Sequence, residues 1–155
     1  MAVFAERIKR IFLALSDVDA IFPFCLVIFG GMAFSLFFFS DVVLCDTIEH
    51  IRASLAVAFG LTPYVDFFEH HHPLLWYLFA PVAKLFYLNI HIIFAAKAFA
   101  LLSWSVVLYL VYSIAKDLNG EKTAKLTTLF LIAVPYIWRH IVVFVPDAFM
   151  CLLFL

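Results

Sequence analysis

Charge is the scarcest resource in this chain: only 14% of its 155 residues are Asp, Glu, Lys or Arg, against about a quarter in an average soluble domain. The formal net charge of -1 offers no attraction to a phosphate backbone, so nucleic-acid binding drops out. Glycine and proline are few, at four and six, which excludes collagenous and low-complexity readings. Three cysteines cannot build a disulfide framework. Cys25 and Cys151 fall inside apolar runs and Cys45 ends one, so free, buried thiols are expected. What the chain has instead is apolar mass: 67% hydrophobic residues, 19% aromatic, twenty Phe and a mean hydropathy of +1.12. That composition implies lipid in place of water over much of the surface, and excludes intrinsic disorder.

Residues 20–40 carry no charge, enough to cross a hydrocarbon core of about 30 Å. Glu6, Arg7, Lys9 and Arg10 precede this run and no small-residue cleavage pattern follows, which favours a retained signal anchor. Four spans are expected, at about 20–44, 90–115, 124–140 and a truncated 147–155. Lys97 lies within the second and must snorkel or find a polar partner. The third is short and contains Pro135. Because the last run stops without a flank, the chain reads as one membrane domain, 1–155, from the N-terminal part of a larger protein. Basic residues cluster at 7–10 and at Lys116, Lys122 and Lys125, so both clusters are assigned to the cytoplasm. The outer loop, 45–89, is then extracytoplasmic, and Asn119 with Gly120 ends a helix so that the second and third spans form a hairpin. The fold class expected is all-α, a polytopic helical membrane protein with interfacial helices in its first outer loop.

That loop carries the chemistry. The run DTIEHIRASLAVAFG, 46–60, places Ile48, Ile51, Leu55 and Phe59 on one stripe, as in a helix lying on the membrane surface. Asp46, Glu49 and His50 lie off the stripe and are expected to turn away from the lipid, with Arg52 as a further cation. Asp46 and Glu49 also fit a capping-box variant, and Gly60 suits the helix end. Next, LTPYVDFFEHHHPLLWYLFAP, 61–81, brings Tyr64, Asp66, Glu69, His70, His71 and His72 together before Pro73. Consecutive histidines point in divergent directions and no Cys lies beside them, so a structural zinc site is not expected. A substrate-handling site and a solvated interfacial loop both remain open. Pro73 is expected to start a helix, with Trp76 and Tyr77 anchoring it at the interface. At the far end, Arg139, His140 and Asp147 return to the outer face, where Asp147 either favours a helix start or joins the acidic loop.

Together these residues resemble the polytopic C-type glycosyltransferases that use polyprenyl-phosphate sugars, the superfamily of protein O-mannosyltransferases and lipid A aminoarabinose transferase. Their first outer loop begins with an acidic pair after the first span and reaches a His-Pro-Pro-Leu or Lys-Pro-Pro-Leu motif. Asp46 matches the first acidic residue, His71 the His or Lys, and Pro73 and Leu74 the motif's end; Thr47 and His72 depart from the pattern. The match runs from the first span through Asp147.

The resemblance implies inverting transfer of a monosaccharide from a polyprenyl-phosphate donor to an acceptor hydroxyl at the outer face of a bacterial inner membrane. Asp46 is then the catalytic base. Arg139, His71, His140 and Arg52 are candidates for the departing phosphate, and Asp147 for orienting acceptor or sugar. Glu49, His50, Tyr64, Asp66, Glu69 and His72 complete the candidate substrate site. The chemistry requires no metal, and no cofactor is expected. The expected partners are the lipid donor, an unidentified acceptor and the bilayer. The rival reading is a non-catalytic membrane fragment or subunit whose His and acidic loop binds a partner or a divalent ion.

Overall fold

The computed structural model describes residues 17–40 and 45–155; the basic cluster at 7–10 and the end of the first expected span, 41–44, lie outside them. Among the described residues the secondary structure is helical, with no strand beyond one isolated bridge between Pro63 and Phe67. The elements are α1 (Val18–Phe39), α2 (Cys45–Ala58), α3 (Leu74–Leu85), α4 (His91–Asn119), α5 (Glu121–Ile132), α6 (Pro135–His140) and α7 (Asp147–Phe154).

Two helices are long and apolar enough to cross a membrane, α1 with 22 residues and α4 with 29. At 1.5 Å per residue they reach roughly 33 and 43 Å. Asp17 caps α1 by accepting from the Asp19 backbone N–H. The third expected span is not one helix. Proline disfavours helical backbone in the residue before it, and Val134, before Pro135, is extended with ψ 123°. The 124–140 stretch is therefore split into α5 and α6, and after His140 the chain runs as a buried segment, 141–144, until α7 begins.

Polar contacts fix which ends lie together. Lys125 pairs with Asp19 at 2.6 Å and with Glu121 at 2.8 Å, joining the start of α1 to the start of α5. At the opposite end Lys97 finds the partner its position demands: Nζ donates to the Ser40 carbonyl at 2.8 Å and the Phe37 carbonyl at 3.3 Å. A cation there satisfies carbonyls that the end of α1 leaves unpaired. α1 and α4 are thus antiparallel, and α2, the 61–73 loop and α3 follow the Ser40 end.

Two apolar clusters result. One joins α1, α4 and the later helices through Phe29, Ala33, Trp104, Val107, Ile132, Ile137 and Ile141. The other packs α2 against α3 and the start of α4 around Ile51, Leu75, Trp76, Phe79, Ala96 and Phe144. Much of α1 stays outside both, with Phe24, Val27, Phe34 and Phe39 exposed. The thiols are free, but only Cys25 is half-buried; Cys45 and Cys151 are exposed.

Candidate functional site

The site grows from the face that α2 turns inward. The expected stripe is only partly the packed one: Ile51 is buried and Leu55 half-buried, whereas Ile48 and Phe59 are exposed. The buried residues are Thr47, His50, Ile51, Ala53 and Ser54, mostly at helical spacings of three and four. Small side chains allow α3 to approach, and each polar group is tied inside. Ser54 Oγ donates to the His50 carbonyl at 2.7 Å, and Thr47 Oγ1 accepts from the Phe144 backbone N–H at 3.2 Å. Trp76, expected at the interface, is instead fully buried, because its indole N–H donates to His50 Nδ1 at 3.1 Å. Tyr77 is exposed.

His50, which lies off the expected apolar stripe, is therefore 1% exposed. Accepting from Trp76 at Nδ1 leaves its proton on Nε2, and Nε2 has no hydrogen-bond partner among the described residues. Burial first, then the neighbouring His71, push the imidazole down to about 4, so it stays neutral; Glu69, Asp46 and Asp147 act on it in the opposite sense. Residues from three separate segments thus come within electrostatic reach of one ring.

Beside it, the 61–73 loop folds back on itself. Thr62 N–H donates to Asp66 Oδ2 at 2.7 Å, Tyr64 N–H donates to the Phe67 carbonyl at 2.8 Å, and the Tyr64 hydroxyl donates to the His71 carbonyl. Tyr64 takes a left-handed φ of 66° within this turn. Tyr64 and Asp66 therefore shape the loop, and both are exposed. His72 turns the other way, its Nδ1 accepting from the Leu74 N–H at 3.4 Å at the start of α3. Pro73 occupies the position just before that helix.

The expected divergence of neighbouring histidines fails for His70 and His71. They lie in a bend rather than a helix, their rings 3.8 Å apart. Both direct Nδ1 to Glu69 Oε1, at 2.9 and 3.0 Å, and the His70 backbone N–H donates to the same oxygen at 2.7 Å. Burial alone would raise the Glu69 carboxyl, but hydrogen bonds from Glu49, the His70 N–H and His71 hold it at about 2. The hydrogen bond to Glu69 raises Glu49 above the ordinary range, helped by desolvation and the like charge. Glu49, Glu69, His70 and His71 each offer a ligand atom, all within 4.8 Å of one another, so these four could hold a metal ion. His70 was missed as a site residue; the only signal was its place in the triplet.

Next to this knot lies a cavity of about 480 Å³, whose lining includes charged Glu49, Arg52 and Glu69 and apolar Ile48, Leu61, Phe67 and Phe68. Asp46 is exposed in the first turn of α2, which starts at Cys45 rather than after Asp46. It is therefore not the residue preceding the helix, and Glu49 turns to Glu69 instead of back to a cap.

At the far end the candidates separate. Asp147 opens α7, within reach of His50 and facing the Tyr136 hydroxyl. Arg139 lines a different groove with Met32, Leu36 and Trp138. His140 stacks on Tyr136 at 4.0 Å, with Nδ1 2.9 Å from the Tyr136 carbonyl. No protein family, curated protein or solved structure matches this chain.

Proposed function

We propose that this chain is a glycosyltransferase of a bacterial inner membrane, multi-pass with a cytoplasmic N-terminus, moving a monosaccharide from a polyprenyl-phosphate donor to an acceptor hydroxyl at the outer face. One observation carries the reading: acidic and imidazole groups from α2, the 61–73 loop and the start of α7 converge around His50, at the same end of both membrane-length helices. Ionisable groups gathered beside lipid are costly, and such gatherings commonly mark a substrate path.

The chemistry is then direct. Asp46 accepts the proton of the acceptor hydroxyl as its oxygen attacks the anomeric carbon. The bond from that carbon to the lipid phosphate breaks, the configuration inverts, and the departing phosphate takes the electron pair. The cavity's lining, part charged and part apolar, suits a ligand with a charged head and an apolar tail. Arg52 lines the cavity beside Glu49 and Glu69, whereas Arg139 lines a different groove, so Arg52 is the better placed to meet the phosphate, and a guanidinium suits that task.

Asp46→Asn tests the role. Asparagine keeps the size of the side chain and gives up only the helix-end charge, about 0.3–1 kcal/mol, so the protein should insert normally. An amide cannot take the proton, and release of labelled sugar from polyprenyl-phosphate donor by membranes containing the protein should fall roughly 10²-fold. Equal release by wild type and Asp46→Asn, or none above membranes lacking the protein, would return the loop to a non-catalytic role.

A further inference from the structure

Three nitrogens crowd a single oxygen, Glu69 Oε1: the His70 backbone N–H and the Nδ1 atoms of His70 and His71. A second carboxylate, Glu49, stands 4.0 Å from His70 Nδ1. We propose that Glu49, Glu69, His70 and His71 bind one divalent transition-metal ion of the zinc class, beside the cavity that Arg52 lines. The proposal rests on the geometry of these four groups and stands whether or not the chain transfers sugar.

Bonds of about 2.0–2.2 Å from zinc to nitrogen or oxygen put tetrahedral ligand atoms about 3.3–3.6 Å apart. The observed separations of 2.9, 3.0 and 4.0 Å bracket that spacing. Two carboxylates neutralise a divalent charge, and the two imidazoles add none. Two nitrogens with two oxygens favour zinc and its first-row neighbours over magnesium and calcium, which take oxygen shells.

The ligands are held in place before any ion arrives. Glu49 projects from a helix whose opposite face is packed, and Glu69 is 7% exposed. The His71 carbonyl is held by the Tyr64 hydroxyl, and its ring meets the buried His50 ring edge to face at 4.6 Å. The His70 side chain is 66% exposed, which gives an ion a way in from solvent. His72, occupied at the start of α3, is not a ligand and serves as the control.

The test uses the full chain in lipid nanodiscs, without a polyhistidine tag, stripped with chelator and dialysed against Zn²⁺. One bound equivalent is expected, and Co²⁺ in its place should give visible absorption bands. His70→Ala removes an exposed side chain and leaves the fold intact; it should weaken Zn²⁺ binding at least tenfold. Glu69→Gln should do the same, His72→Ala should leave binding unchanged, and millimolar Mg²⁺ should not compete. Substoichiometric zinc in the folded wild type overturns the proposal, as does wild-type affinity in His70→Ala. Equal losses in His70→Ala and His72→Ala overturn it too. Since the readout is metal content, failure of sugar transfer leaves this result standing, and the reverse also holds.

Discussion

The imidazole of His50 and the indole of Trp76 satisfy one another in a place where neither could stay alone. A buried acceptor left unpaired costs about 1–3 kcal/mol, so Trp76→Phe, which strands His50 Nδ1, should lower stability by about 2 kcal/mol in a detergent unfolding titration. Replacing both partners with apolar residues removes the stranded atom as well. The double variant Trp76→Phe with His50→Leu should therefore recover part of the loss. No recovery would mean that Trp76 acts through packing alone. Both side chains were visible in the sequence, His50 as a polar residue off an apolar stripe and Trp76 as an aromatic near an interface. What the sequence did not reveal is that they meet, since 26 positions separate them and no local pattern encodes that distance.

Helix ends were the most legible elements, because a backbone that must turn sharply demands glycine. At Gly60 the Leu61 N–H donates to the Ala56 carbonyl and the Gly60 N–H to the Val57 carbonyl, the paired bonds of a Schellman stop. Gly120 closes α4 and starts α5 by itself, with φ 83° and ψ 172°, a region essentially confined to glycine. Nothing lies within 4 Å of a Cβ added there, so Gly120→Ala should cost about 1–3 kcal/mol through backbone strain alone. Gly120→Asn should cost as much, because asparagine tolerates the left-handed helical region and not this one. Unfolding midpoints of the two variants equal to wild type would contradict the strain. The inward face of α2 was less legible. Its packed positions are Thr47, His50, Ile51, Ala53 and Ser54, and a hydrophobicity pattern gives weight to Ile48 and Phe59 instead, although helix approach here depends on small and hydrogen-bonded side chains.

For the whole molecule, the antiparallel placement of α1 and α4 sets the candidate site at one end and the residues around Gly120 at the other. The proposed cytoplasmic placement of that turn, which rests on its basic residues, is open to labelling. Cys45 is exposed at the start of α2. With Cys25 and Cys151 changed to Ser, a membrane-impermeant thiol reagent should label Cys45 in intact cells. A cysteine at the exposed position of Lys122, in a variant also lacking Cys45, should react only after the membrane is opened. The reverse pattern would invert the topology and place the Asp46 loop in the cytoplasm.

The amino-acid sequence alone determined the helical class, the two membrane-length helices, the helix stops at Gly60 and Gly120, and the need of Lys97 for a partner. Each follows from local chemistry: apolar length, backbone conformations open to glycine, and the cost of a cation among apolar residues. Only the tertiary structure decided the rest. It split the third expected span at Val134, turned His50 inward onto Trp76, drew His70 and His71 onto Glu69, and left Arg139 and His72 elsewhere. Those outcomes depend on which faces of α2, α3 and the 61–73 loop meet in space, and contacts across tens of residues leave no periodicity in the chain to read.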